Sequence, residues 1–256
     1  MQALQALIFD VDGTLADTER DGHRVAFNRA FEEFDLDWFW DEDLYGKLLA
    51  VTGGKERMAY YLAQFNTGYA QDDSTPELIV ELHKAKTRHY TELLATGAIP
   101  LRPGVKRLLQ EAREQGIILA IATTTTPDNV TALLENALAP GSQDWFQVIA
   151  AGDIVPAKKP AADIYFYALD KLQLPAEACL AFEDSENGIQ SSIGAGLTTL
   201  ITVNGYTRDH DFQGAALVLD QLGEPEQGFT TLAGDDLGYS YVNMELLKQL
   251  HSRINR

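Results

Sequence analysis

The chain has 256 residues, 45% of them hydrophobic and 23% charged, with a formal net charge of −18. That length suits one large domain, or a core with a smaller second domain. The acidic balance argues against non-specific binding to nucleic acid or an anionic membrane surface, no apolar run approaches the roughly 20 residues of a membrane span, and a single cysteine, Cys179, excludes an intramolecular disulfide.

No signal-peptide pattern precedes the first apolar run, so the expectation is a cytoplasmic protein. That run, Ala6-Leu7-Ile8-Phe9, has the length and composition of a buried strand. Asp10-Val11-Asp12-Gly13-Thr14 follows at once. Residues 16–19 read as a linker. His23, Phe27, Phe31 and Phe34 then recur at near-helical spacing, followed by Leu44, Leu48 and Leu49. A loop over 51–55 leads to a helix carrying Met58, Tyr61, Leu62 and Phe65. Residues 68–76 are polar and loop-like, and a longer helix is expected over 77–94. Nothing between 17 and 97 reads as a strand. Within this insert Trp38, Phe39 and Trp40 are expected to be core.

An alternating pattern resumes at Pro100. A helix over 105–115 stops at Gly116, a residue suited to the position after a helix end. Strands are expected over 117–122, 148–151, 179–182, 200–203 and 217–219. Helices are expected to open after Thr126, over 163–172, from 186 to 194 and over 243–254. Strands alternating with helices call for a parallel, doubly wound sheet with right-handed crossovers. The fold class is therefore α/β, a Rossmann-like core over 1–16 and 98–256, with a helical domain over 17–97 inserted after the first strand.

Four strand ends carry polar groups: Asp10 and Asp12, Thr123, Lys159, and Glu183 with Asp184. In a parallel sheet these ends share one edge, where ligands bind in open α/β folds. Each segment alone has an ordinary structural reading. Asp-Gly makes turns, Glu-Asp-Ser and Thr-Pro cap helices, and Lys-Lys-Pro is a solvated loop. Their number and order carry the functional reading. Two carboxylates one residue apart suit Mg²⁺, a hard cation with oxygen ligands. They also suit a division between nucleophile and proton carrier. Gly53-Gly54-Lys55 is not a phosphate-binding P-loop, no Gly-x-Gly-x-x-Gly follows the first strand, and the histidines form no zinc-spaced cluster.

Asp-x-Asp-Gly-Thr after an apolar strand resembles the first motif of the haloacid dehalogenase superfamily, and the downstream segments match its later motifs. The resemblance implies a Mg²⁺-dependent phosphotransferase that passes through an aspartyl-phosphate. Asp10 would be the nucleophile and Asp12 the acid and base. The metal would be held by Asp10, the Asp12 carbonyl and Asp184, with Glu183 bound directly or through water. Thr123 and the Thr124 N–H would hold phosphoryl oxygens, and Lys159 would neutralise their charge and restrain Asp10. The helical insert would be a mobile cap.

The chain further resembles the CbbY-like branch, related to β-phosphoglucomutase. That likeness rests on Thr18-Glu19, Trp38-Phe39-Trp40, Thr52-Gly53-Gly54-Lys55-Glu56-Arg57 and His83-Lys84-Ala85-Lys86-Thr87. It implies a small sugar bisphosphate as substrate, xylulose-1,5-bisphosphate above all, an inhibitor of Rubisco whose removal serves the Calvin cycle. Gly53, Gly54, Lys55, Arg57, His83 and Lys86 would bind the phosphate that is not transferred, and Glu19 would accept hydrogen bonds from sugar hydroxyls. The segment Arg20-Asp21-Gly22-His23 is one residue longer than that branch's pattern, which leaves His23 without an assigned role. The rival activity is a phosphomutase, which uses the same aspartates and shields the phosphoryl group from water. A catalytically dead binding protein would lack one of these groups, and none is missing. Oligomeric state is not legible.

Overall fold

The computed structural model describes residues 3–51 and 53–254, so Thr52 of the stretch singled out above lies outside them. The chain forms two compact units, Met1–Asp17 with Pro100–Arg256, and Thr18–Ile99.

The first unit is built on a seven-stranded sheet. Its strands are β1 (Ala6–Phe9), β2 (Ile118–Ala122), β3 (Phe146–Ala150), β4 (Cys179–Glu183), β5 (Thr198–Thr202), β6 (Leu217–Leu219) and β7 (Thr231–Gly234), in the order β3-β2-β1-β4-β5-β6-β7. All neighbours pair in parallel except β6 and β7, which are antiparallel. The chain runs outward from β1 to β2 and β3, then returns to β4 on the other side of β1. That reversal is a topological switch point, and it opens a crevice at the C-terminal ends of the central strands. Strand β7 has no counterpart in the sequence reading. Its four residues are half-buried or exposed, so they lack the apolar run that marks the inner strands.

Alternation divides each central strand between two faces. Ala6 and Ile8 pack with Ala120 and Ala122 beneath Tyr165, Ala168, Leu169 and Leu172. Those four residues belong to the helix Asp163–Leu172. Phe9 stacks on Phe182 with ring centroids 4.4 Å apart. Phe9 is level with Ile121 on β2 and Phe182 on β4. The next residue on each strand, Asp10, Ala122 and Glu183, therefore emerges at the same height on the sheet edge.

Among its described residues the second unit has helices and connecting loops but no strand. A π-helical turn (Thr18–His23) replaces the expected linker and runs into α1 (Arg24–Glu33), followed by α2 (Glu42–Leu48), α3 (Gly54–Gln64) and α4 (Thr75–Ala95). Lys55, expected in a loop, is already in the first turn of α3. Helices α1 and α4 pack on each other around an aromatic core. Trp40 lies 4.6 Å from Phe27 and 4.9 Å from Phe31 between ring centroids. Asn28 fastens it by exchanging two hydrogen bonds with the Trp40 backbone, at 2.8 and 2.9 Å. Trp38 and Trp40 are core, as expected, but Phe39 between them is 65% exposed. The segment 36–41 is not helical and its burial alternates from residue to residue, so Phe39 faces away from Trp38 and Trp40.

Candidate active site

The site grows from the ends of β1, β2 and β4. Asp10 follows β1, and its N–H donates to the Phe182 carbonyl at 3.0 Å. Glu183 ends β4 and Asp184 follows it; Asp10, Glu183 and Asp184 are all buried. One carboxylate oxygen from each lies within 4.8 Å of the others. Lys159 enters from the loop between β3 and the helix Asp163–Leu172. Its Nζ donates to Asp10 Oδ1 at 2.6 Å, Glu183 Oε1 at 2.7 Å and the Ala122 carbonyl at 2.9 Å. Those are all three protons of the ammonium. Lys158, which the sequence offers as a rival, is exposed and pairs with Asp153 at 2.9 Å.

Burial alone would lower the Lys159 ammonium, but the Asp10 and Glu183 charges outweigh it and push it up. Glu183 and Asp184 move the same way for a different reason. Burial raises Asp184 well above the usual range, and neighbouring Asp10 and Glu183 raise it further. Burial is also the main cause that lifts Glu183, against the opposing pull of Lys159. The site thus holds three carboxylates against one ammonium, and burial penalises the charge of Glu183 and Asp184.

These features fit a hard divalent cation. The donors are all oxygen, with no cysteine or histidine among them, a set that suits a hard cation rather than zinc. Glu183 Oε2 is buried without a hydrogen-bond partner. Space is kept for that carboxylate, because a Cβ at Gly188 would stand 1.9 Å from Oε2. The other Glu183 oxygen is doubly held, by Lys159 and by the Tyr165 hydroxyl, which donates to Oε1 at 2.5 Å.

Asp12 is half-buried in the loop after β1. Thr123 is buried at the end of β2, where its Oγ1 accepts the Thr125 N–H at 3.3 Å. Thr124 is exposed beside it. The next helix starts only at Pro127. Thr123 and Thr124 therefore sit in the bend before the helix rather than in its first turn.

The profile of the haloacid dehalogenase-like hydrolases matches residues 4–196. The chain belongs to that family. It is 51% identical over 212 residues to protein CbbY of Rhodobacter capsulatus, covering 83% of this chain and 91% of that one. It is 48% identical over 224 residues to the plasmid-encoded CbbY of Cupriavidus necator, covering 88% of each. A crystal structure of a Rhodobacter sphaeroides CbbY mutant in complex with xylulose-(1,5)bisphosphate superposes with a TM-score of 0.71 at 45% identity, covering 85% of this chain and 94% of that one. The chain is thus a CbbY-like haloacid dehalogenase hydrolase, an enzyme of the sugar-phosphate phosphatase kind.

In this hydrolase the helical unit gathers most of the residues singled out there into two groups. In the first, Arg57 is buried and its Nη1 donates to the Tyr45 hydroxyl at 2.8 Å. Tyr45 in turn donates to Glu19 Oε2 at 2.5 Å, and Arg57 Nη1 stands 3.8 Å from that oxygen. In the second, Lys86 Nζ meets His23 Nδ1 at 2.9 Å, over the rings of Phe27 and Tyr90. Burial, then Lys86 and Arg57, depress His23 well below its usual range, so its ring is neutral and accepts from Lys86. Burial, then Lys86 and Lys55, also depress His83. Gly54 packs against that ring, where a Cβ would stand 2.7 Å from Cδ2. Gly53 precedes α3, and Lys55 is exposed in its first turn.

Tyr165, Gly188, Arg102 and Asn204 are absent from the sequence-derived set. Each supports a residue that is in it or in the Asp-x-Asp-Gly loop.

Proposed function

We propose that the protein is a cytoplasmic, Mg²⁺-dependent phosphatase that removes one phosphate from a small sugar bisphosphate through an aspartyl-phosphate on Asp10, and that xylulose-1,5-bisphosphate is its substrate. The convergence of Asp10, Glu183, Asp184 and Lys159 on one sheet edge, with Asp12 two residues beyond Asp10, carries this reading.

Asp10 attacks phosphorus in line, forming an O–P bond as the bond from phosphorus to the sugar oxygen breaks. Asp12 gives its proton to the departing sugar oxygen. It then takes a proton from the water that attacks the acyl-phosphate, releasing inorganic phosphate and restoring Asp10. Asp10, Asp184, the Asp12 carbonyl and Glu183 would hold the cation, which supplies positive charge to the phosphoryl oxygens. Thr123 and the Thr124 N–H bind those oxygens as well. With its three protons on Asp10, Glu183 and Ala122, Lys159 acts chiefly by restraining Asp10.

Recognition of the second phosphate falls to the helical unit. Lys55 and Lys86 supply charge, and the backbone at Gly53 and Gly54 supplies N–H groups. His83, held neutral, contributes a hydrogen bond rather than charge. Arg57, engaged with Tyr45 and Glu19, holds the Glu19 carboxylate ready for sugar hydroxyls. Lys55→Ala is therefore the clean probe, since Arg57→Ala would also release Glu19. A charge-assisted contact contributes roughly 1.5–3 kcal/mol, so Lys55→Ala lowers kcat/KM for the bisphosphate about 10–150-fold. It leaves p-nitrophenyl phosphate, which has no second anion, much less affected. Equal losses on both would remove Lys55 from distal recognition.

The function as a whole is tested by phosphate release from xylulose-1,5-bisphosphate, sugar monophosphates and glucose 1-phosphate, with Mg²⁺ and with EDTA. The expected outcome is a preference for the bisphosphate and no release in EDTA. Conversion of glucose 1-phosphate stimulated by glucose 1,6-bisphosphate would identify a mutase instead.

A further inference from the structure

The carboxylate of Asp184 is held by a group outside the four strand-end motifs. Asn204, just beyond β5, donates its Nδ2 to Asp184 Oδ2 at 2.7 Å. The other end of the amide fixes that orientation. Its Oδ1 accepts the Tyr206 N–H at 2.8 Å, so the NH₂ group is the end turned to the carboxylate. The Asn204 N–H donates to Thr207 Oγ1 at 3.0 Å, closing the same turn.

The strand end that delivers Asn204 is itself pinned. Arg102 is a buried arginine. Its Nη1 donates to the Thr202 carbonyl at 2.9 Å, and its Nη2 to the carbonyls of Val203 at 2.5 Å and Asp220 at 2.8 Å. Nη1 also donates to the Gly13 carbonyl. One planar fork thus ties the Asp12-Gly13 loop to the end of β5, a geometry a lysine could not span. Gly13 completes the fit. At its φ of 88° a side chain is strained, and a Cβ would stand 2.2 Å from Asp184 Oδ2 and 2.7 Å from Asn204 Nδ2.

We propose that Asn204 is a positioning residue for metal binding. By occupying Oδ2 it fixes the rotation of the Asp184 carboxylate and leaves Oδ1 for the cation. The inference rests on the Mg²⁺ reading above. Groups that orient metal ligands in this way typically affect metal affinity about 10–100-fold when removed.

The test is calorimetric titration of the full chain with Mg²⁺ alone, for wild type, Asn204→Ser and Asn204→Ala, with thermal midpoints of the metal-free proteins. Serine keeps an oxygen for the Tyr206 N–H but cannot reach Asp184, so Asn204→Ser is the variant that retains the turn. The expected result is a Kd for Mg²⁺ raised about 10–100-fold in both variants, with the metal-free midpoint of Asn204→Ser close to wild type. The Mg²⁺ concentration giving half-maximal turnover rises by the same factor, while KM for the sugar phosphate in saturating Mg²⁺ moves far less. Wild-type Mg²⁺ affinity in Asn204→Ser, or a change confined to substrate KM, overturns the positioning role and leaves the metal reading intact. A wild-type protein that takes up no Mg²⁺ overturns both.

Discussion

Asp10→Asn eliminates turnover, by a factor on the order of 10⁴ or more, the scale seen when a covalent nucleophile is removed. Asparagine matches aspartate in shape, and its Oδ1 can still accept the Lys159 proton now held by Asp10 at 2.6 Å. The buried site therefore stays assembled, and the loss falls on chemistry. The neutral amide cannot form the acyl-phosphate, so no downstream step has a substrate. Two measurements separate this from misfolding. The thermal midpoint stays close to wild type, because one of three crowded carboxylates has lost its charge. Binding of the sugar bisphosphate persists, measured by calorimetry. Turnover within tenfold of wild type would end the covalent mechanism.

The second large effect is that of Lys159→Met. The ammonium is buried, with its side chain 7% exposed, and bridges two carboxylates whose side chains are 9% and 1% exposed. Methionine keeps the length and the apolar stem but removes the countercharge. Breaking a buried pair in this way costs about 3–5 kcal/mol, because the partner charge is left uncompensated. For a chain of this size that corresponds to a fall in thermal midpoint of about 6–20 °C. Added Mg²⁺ restores part of the midpoint by supplying positive charge to the same carboxylates. Activity falls about 10²–10³-fold even in saturating Mg²⁺, the scale of losing one preorganised electrostatic group, since Asp10 is no longer restrained. A midpoint within 2 °C of wild type would show that Lys159 is not the countercharge of this site.

The two predictions concern residues that the sequence itself singles out, and the reason is physical. A strand buried on both faces carries its first charged residue at or just past its end, so an apolar run followed by carboxylates marks both a strand and the edge it reaches. Asp10, Glu183 and Asp184 were legible in that way. Lys158 and Lys159 are adjacent and alike in the sequence, and burial separates them in the structure. The supporting residues left no such mark. Tyr165 occupies an apolar position of its helix and reads as core until its hydroxyl is found 2.5 Å from Glu183. Arg102 meets Gly13 and Thr202 across 89 and 100 residues of sequence, and no local pattern encodes a contact of that span. Strand β7 escaped because exposed edge strands lack an apolar run. In the helical unit the sequence identified charged residues but not their partners. Arg57 and Glu19, read as two ligand contacts, are joined through Tyr45.

The central claim is that the phosphoryl group passes through Asp10. It is tested most directly by mixing the enzyme with a sugar bisphosphate in Mg²⁺, quenching in acid at millisecond times, and mapping phosphorylated peptides by mass spectrometry. The account predicts one phosphoryl group on Asp10, forming no later than inorganic phosphate appears and absent from Asp10→Asn. Phosphate released at the steady-state rate with Asp10 unmodified at every time point, or with the adduct on another residue, would contradict it.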